Sequence, residues 1–592
     1  MRARGASREF AHAMPFGAEV RTDGAVRFRL WAPTARRVEL LLYGAGSDEV
    51  GETLPMSIGP DGFHELTTKR ARAGSRYRYR VDGGHAVADP ASRANPDDVH
   101  GTSEVVDPRA FEWEDDGWTG RPWHEAVIYE LHVGTFTPEG TFRAAIERLP
   151  HLAALGVTAV ELMPVADFPG SRNWGYDGVL PFAPDAAYGG PDALKALVDA
   201  AHGLGLMIFL DVVYNHFGPD GNYLAAYAPA FFRTDIATPW GTAIDFRRPE
   251  VRRFFTENTL YWLMEYRFDG LRFDAVHTIT DRSWLSEMAG EIRQTVERGR
   301  HVHLVLEHDG NDADHLRHGF DAQWNDDAHH VLHVLLTGQS DGYYGDYATA
   351  PAQKLTRALA EGFVYQGEPS GYRGGKPRGT SSAGLPPRTF VLFLQNHDQI
   401  GNRPFGDRLT ALADPEALQA AIALQLLSPN IPLLFMGEEL LSETPFLFFT
   451  DYHGALADAV REGRRREFAS FTAFAGGDIP DPNALETFER SRPSAGGDDT
   501  LYRRLLGLRH SLIIPRLAGT RLVEGAALGP ASAAIHWRLG DGSALMIATN
   551  LAAEGCPLAR PAGDCLFASR PEALTDGTLS GHSTVLFFEA PP

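Results

Sequence analysis

Three acidic residues close runs of apolar sequence: Asp274 in GLRFDAVH, Glu307 in LVLEHDG and Asp398 in LQNHDQIGNR. Two carboxyl groups from neighbouring strands can approach to ~5–5.5 Å. At that separation one attacks the anomeric carbon of a sugar while the other protonates the departing oxygen. Arg272 lies two residues before Asp274, so both side chains should share one face of a strand. A guanidinium in that position favours the charged carboxylate that a nucleophile needs. Glu307, near other carboxylates in a partly closed pocket, should hold its proton more tightly and act first as general acid, then as general base. Taken singly, each acid could equally close an ion pair or cap a helix. Three together, with Arg272 and His397 beside them, favour chemistry.

Two further segments carry polar or aromatic groups. DVVYNHFGPDGNYL (211–224) holds Asp211, Asn215 and His216. Their spacing is not a zinc signature, and contacts to sugar hydroxyls or support of the loop are the preferred reading, with a bound Ca²⁺ as the minority one. NWGYDGV (173–179) places Trp174, Tyr176 and Asp177 on a glycine-flanked loop. An aromatic face suits the C–H face of a pyranose. Tyr176 is the stronger candidate, since plain loop anchoring serves equally well for Trp174.

These residues must be positioned by regular elements. Between about 118 and 437 the chain alternates apolar strands with amphipathic helices: strand candidates fall at 126–133, 157–165, 207–213, 268–276, 302–308, 388–397 and 431–437, with a weaker one at 320–326. Near-continuous apolar runs indicate parallel strands buried on both faces. Eight such units imply an α/β fold, a (β/α)8 TIM barrel, whose active site lies at the carboxyl ends of the strands. A doubly wound sheet competes, but no glycine-rich phosphate loop opens a helix. Short strands broken by turn residues, VRFRLWAP (26–33), RVELLLYG (37–44) and SRYRYRVDG (75–83), predict an N-terminal β-sandwich. AAIHWRLG (533–540), ALMIATNL (544–551) and STVLFFEA (583–590) predict a C-terminal one. The domains expected are 1–115, a carbohydrate-binding-like module; 116–516, the catalytic barrel with loop insertions; and 517–592.

Composition narrows the partners. With 55 basic and 77 acidic residues the formal charge is −22, which disfavours nucleic acid and anionic membrane surfaces. The N-terminus, MRARGASREFAHAMPF, lacks an apolar core segment, no stretch suits a bilayer, and a cytoplasmic location is the default expectation. Cys556 and Cys565 are the two cysteines, too few for a disulfide scaffold, and a single bridge between them stays open.

The segments DVVYNH, GLRFDAV, the glutamate of LVLEHD, and NHD resemble the α-amylase superfamily of glycoside hydrolases. The resemblance makes Asp274 the nucleophile, Glu307 the acid/base and Asp398 the transition-state stabiliser. It makes His216, Arg272 and His397 contacts at the subsite of the cleaved glucose, Tyr176 its stacking platform, and His277 a contact to the next subsite. FDAQWNDDAHHVLH (320–333), SPNIPLLFMGEE (428–439), PFLFFTDYH (445–453) and REGRRREF (461–468) are similar to the malto-oligosyltrehalose trehalohydrolase family, as is YELHVGTFTPEGTF (129–142). The narrower resemblance implies cleavage of the α-1,4 bond between a maltooligosyl chain and terminal trehalose, with retention of configuration. It also implies a maltooligosyl-trehalose synthase acting upstream, without a stable complex, and no organic cofactor or required metal. Trp324, Asn325, Asp326 and Asp327 are the candidate trehalose contacts, and Asp309 is a further substrate-binding candidate. One departure stands out: that family tends to follow its acid/base with a small polar residue and Asp-Leu-Asn, whereas here the run is Glu307-His308-Asp309-Gly310-Asn311. Glycogen branching or debranching enzymes, and a non-catalytic glucan-binding protein on the same scaffold, remain alternatives.

Overall fold

The computed structural model describes residues 10–44, 49–114, 117–238, 240–468, 479–494 and 496–591. Its centre is a closed barrel of eight parallel strands: β1 (Ile128–Leu131), β2 (Ala159–Leu162), β3 (Met207–Val212), β4 (Gly270–Phe273), β5 (His303–Leu306), β6 (Ala322–Trp324), β7 (Phe390–Leu392) and β8 (Ile431–Phe435). β8 closes the ring by pairing with β1, Leu433 opposite Ile128. Every residue of all eight strands is buried, which is why they read as near-continuous apolar runs. The weak candidate at 320–326 is a true stave.

Strands are shorter than the apolar runs that contain them. The run 388–397 yields only Phe390–Leu392 as strand, so Asp398 does not end β7. It sits in a helical turn, His397–Gly401, because the Asn396 side chain accepts from the Gln399 N–H at 3.0 Å and caps that turn. The apolar face of Phe142, Ile146, Leu149 and Leu152 is likewise split between two helices, Phe142–Ile146 and Leu149–Leu155. Pro150 explains the break, since it lacks an N–H and is tolerated in a first turn.

The N-terminal module is a sandwich. One sheet holds Gly17–Val20, Val26–Trp31, Phe63–Thr68 and Ser57–Ile58; the other holds Val50–Pro55, Val38–Tyr43, Arg76–Val81 and Ala86–Val87. Phe28 from the first sheet and Tyr77 from the second meet edge to face at 4.8 Å. The expected joint at 115–116 lies outside the described residues, as do residues 1–9 of the N-terminal segment. At the other end a five-stranded sheet, with Ser532–Arg538, Ala544–Asn550 and Ser583–Glu589 at its centre, faces a smaller three-stranded sheet. Thr584 in that larger sheet donates to the Ala420 carbonyl of the barrel helix Pro415–Leu427 at 2.7 Å. Cys556 is buried, Cys565 is exposed, and both are free thiols. Among the described residues no helix is long and apolar enough to cross a membrane.

The N-terminal module docks through a buried ion pair. Arg93 reaches Glu265 of the barrel with Nε at 3.1 Å and Nη2 at 3.0 Å, and both residues are buried. Its other hydrogen bonds go to the carbonyls of Ala18 and His12 at 2.9 and 3.0 Å. Removing one member of such a pair strands the other charge. Arg93→Ala should therefore lose about 3–5 kcal/mol in denaturant unfolding; a midpoint unchanged from the parent would show that the pair contributes nothing.

Candidate active site

The register of the barrel sets charged residues side by side at the carboxyl ends of the strands. Asp211 on β3 pairs in register with Arg272 on β4, and Glu130 on β1 with Glu161 on β2. Arg272 is fully buried, and its Nη1 donates to Asp211 Oδ2 and to Asp274 Oδ1, each at 2.7 Å. The second Asp274 oxygen accepts from Asn215 Nδ2 at 2.8 Å. Both oxygens of this carboxylate are thus held in place, and Asp274 is the residue directly after β4.

Glu307, directly after β5, stands against the same guanidinium. Its Oε2 lies 4.0 Å from Arg272 Nη2, beyond hydrogen-bond reach, and accepts instead from the Ala275 N–H at 2.6 Å. Ala275 adopts a left-handed conformation (φ 42) that turns this N–H towards Glu307. Such a conformation is strained for a residue with a side chain and is found at functional sites. Burial pushes the Glu307 carboxyl well above the usual range; Arg272 opposes that, and Asp274, Asp326 and Asp398 add to it. The acid following one strand is held by two donors, and the acid following the next is pushed towards its protonated form.

A hydrogen-bonded chain supports the pair from behind. Glu130 accepts from the His397 backbone N–H at 3.1 Å and bonds its ring Nδ1. His397 Nε2 meets the Tyr176 hydroxyl at 2.8 Å, and that hydroxyl donates to Asp211. Since the hydroxyl proton is spent on Asp211, His397 must donate from both nitrogens and carry a positive charge. Burial opposes that charge, but Glu130 and then Asp398 overcome it and hold the imidazole pKa at about 9. Burial likewise raises Asp211 to about 6, against the pull of Arg272. One face of Tyr176 stacks on His397 at 5.1 Å, leaving the ring to line the cleft.

The cleft above these groups encloses about 530 Å³. Asp274, Glu307, Asp398, Tyr176, Trp174, His216, His277, Asp309, Trp324 and Asp326 all line it. Arg272 and His397 do not line it; both are buried and bond lining residues, Asp274 and Tyr176 respectively. Asp177 points away, accepting from Asn173 Nδ2 at 2.7 Å. Asn325 and Asp327 are buried outside the cleft. Asn325 caps the helix Asp326–Thr337 and donates to the Gly362 carbonyl at 2.8 Å. Asp327 pairs with Arg378 at 2.7 Å and accepts from the Val364 and Tyr365 N–H groups. Trp174 is anchored by its indole N–H to the Leu447 carbonyl at 2.9 Å, with Phe446 stacked on it. A Cβ on Gly401 would fall 2.0 Å from that indole, so glycine is required there.

Several lining residues carried no sequence signal. Trp240 stacks on His216 at 5.0 Å from a hairpin, and Tyr343, Asp346, Tyr372, Arg373 and Arg378 form the rim on the Asp309 side. Arg378 Nε donates to the Asp309 carbonyl at 2.8 Å, and Arg373 bonds the Asp309 carboxylate. These residues come from long insertions after β3 and β6, where no periodicity marks them. Glu130, in IYELHV, was legible only as part of a strand.

This barrel, with two carboxylates facing one guanidinium at adjacent strand ends, defines a glycoside hydrolase of the α-amylase type. Residues 95–229 match the α-amylase catalytic domain, residues 15–108 match carbohydrate-binding module 48 (isoamylase N-terminal domain), and residues 520–586 match a domain of unknown function, DUF3459. The malto-oligosyltrehalose trehalohydrolase of Deinococcus radiodurans is 46% identical over 82% of this chain and 80% of its own length. That of Rhizobium sp. M-11 is 39% identical over 94% of this chain and 96% of its own. A crystal structure of a candidate α-amylase from Salmonella typhimurium superposes with a TM-score of 0.92 at 46% identity, covering 98% of this chain and 100% of that one. A pullulanase from Paenibacillus barengoltzii, at TM-score 0.72 and 23% identity, shares the fold over 98% of this chain and 95% of its own. The chain belongs to the malto-oligosyltrehalose trehalohydrolase family.

The His397 charge has a consequence for stability. Its pKa rises from 6.5 to about 9 on folding, so its contribution is complete below about pH 6.5 and is lost as the pH climbs through about 9. The shift corresponds to about 3 kcal/mol. Denaturant unfolding should show the parent losing stability between about pH 7 and pH 10, with Glu130→Gln losing much less; parallel losses in both would remove the ion pair as the cause.

Proposed function

We propose that this chain hydrolyses the α-1,4 bond joining a maltooligosyl chain to a terminal trehalose, releasing trehalose and leaving the α-1,1 bond intact. Family membership supports the substrate. The chemistry rests on one observation: Asp274 and Glu307 meet around the guanidinium of Arg272, the first bonded to it and the second beyond hydrogen-bond reach.

In this reading Glu307 gives its proton to the glycosidic oxygen as an Asp274 oxygen attacks the anomeric carbon. The C–O bond to trehalose breaks, and the maltooligosyl chain becomes ester-linked through its anomeric carbon to Asp274. Glu307, now a carboxylate, takes a proton from water, whose oxygen attacks the same carbon and frees Asp274. Two inversions give net retention. Asp398, at the cleft surface, stabilises the charge that develops on the sugar. Tyr176, backed by His397, is the platform for the glucose being cleaved, with His216 beside it and His277 reaching the next subsite. Trp324, Asp326 and Asp309 line the side where trehalose departs. As part of this reading the substrate comes from a synthase that converts the reducing end of maltodextrin to trehalose, and the enzyme works in the cytoplasm. A Streptomyces coelicolor 1,4-α-glucan branching enzyme is 38% identical, but over only 44% of this chain and 38% of its own length.

The test is a product assay with maltotriosyl-trehalose, maltopentaose and amylopectin supplied separately. Free trehalose from the first alone is expected; new branch points or loss of α-1,6 linkages would replace the reading with a branching or debranching one. Glu307→Gln should lower kcat on that substrate by at least ~10²–10⁴-fold, and near-normal turnover would remove Glu307 from the role.

A further inference from the structure

Just past Glu307 the chain brings three ligand-type side chains together. One ligand atom from each of His308, Asp312 and His315 lies within 4.8 Å of the others. His308 is 1% exposed, yet neither of its ring nitrogens has a hydrogen-bond partner among the described residues. His315 is 7% exposed, and its Nε2 lacks a partner among the described residues as well. Folded proteins seldom bury imidazole nitrogens with nothing to bind, because desolvation is then uncompensated.

The local backbone is shaped around this cluster. A Cβ on Gly310 would fall 2.6 Å from His308 Cε1, so glycine lets the chain cross directly over the ring. Asn311, at φ 53, then turns the chain sharply between His308 and Asp312. Asp312 caps the helix Ala313–Arg317, accepting from the Asp314 N–H at 3.2 Å, and His315 follows in the same turn. Thr380 secures the segment by accepting from the Ala313 N–H at 2.8 Å. The other Asp312 oxygen accepts from Arg282 at 3.1 Å, and that arginine is half exposed.

We propose that His308, Asp312 and His315 form a binding site for a divalent transition cation of the zinc class, distinct from the catalytic carboxylates. Two imidazoles and one carboxylate are the donor set zinc accepts, with water completing a tetrahedral shell. Calcium and magnesium take oxygen-rich shells and are not served by two nitrogens. The cation ties the segment following β5 to the short helix beyond it. That segment presents Glu307 and Asp309 to the cleft, and the His308 ring stands 6.0 Å from that of His277. None of the three residues lines the cleft.

The test uses the full chain, stripped with chelator and dialysed, then titrated with ZnCl2 by calorimetry and with CoCl2 by visible absorption. One tight zinc per chain is expected, with cobalt bands typical of nitrogen and oxygen ligands. His315→Gln and Asp312→Asn should each weaken zinc by more than the ~10–100-fold lost when an outer-shell partner is removed. His318→Gln, on the exposed side of the same segment, should bind as the parent does. Absence of zinc binding in the parent, or equal affinity in all three variants, would overturn the site. Neither readout involves substrate, so the result is separate from that of the product assay.

Discussion

A single buried cation organises the mouth of this barrel. Arg272 is wholly out of solvent, and a guanidinium in that position is tolerable only if anions and ring faces surround it. Asp211 and Asp274 each take a hydrogen bond from Nη1, and the guanidinium carbon lies 4.3 Å from the centre of the Trp324 ring. Glu307 stays at 4.0 Å, near enough to belong to the cluster but too far to be hydrogen-bonded by it. That asymmetry separates two carboxyl groups that are chemically alike. The one bonded to the cation is suited to attack, and the one left mainly to burial is suited to carry a proton.

The rest of the barrel mouth follows from balancing this charge. Glu130 supports a protonated His397, His397 supports the Tyr176 hydroxyl, and that hydroxyl shares Asp211 with Arg272. A sugar resting on Tyr176 would therefore contact a ring fixed at its hydroxyl end and backed by a cation. Such a platform loses little entropy on binding, which is how a rigid scaffold orients a flexible glucan. The outer rim is built differently. Asp309 is held by Arg373 and Arg378 from a separate insertion, and Arg378 is itself fixed by the buried Asp327.

The barrel was legible because burial on both faces leaves a plain trace, near-continuous apolar runs. Asp274 and Glu307 were legible because each follows such a run directly. Asp398 lines the cleft from a helical turn rather than from a strand end, since an apolar run does not reveal where pairing stops and an Asn396 cap begins. Asn325 and Asp327 illustrate the converse difficulty. Beside Trp324 and Asp326 in one polar cluster they look alike, yet helix geometry turns Asp326 to the cleft and Asp327 into the interior against Arg378. The rim residues Trp240, Tyr343 and Tyr372 sit on insertions whose conformation is set by distant contacts, which no local pattern encodes.

The central claim is that Asp274 becomes covalently bound to the sugar while Glu307 moves the proton. An α-glucosyl fluoride needs no protonation of its leaving group, so Glu307→Gln should still be glycosylated by it but should release the sugar slowly. Peptide mass mapping of that variant after exposure to the fluoride is the most direct measurement. The account predicts one glucosyl adduct, on the peptide bearing Asp274. An adduct on any other carboxylate, or none while the fluoride is consumed, would contradict it.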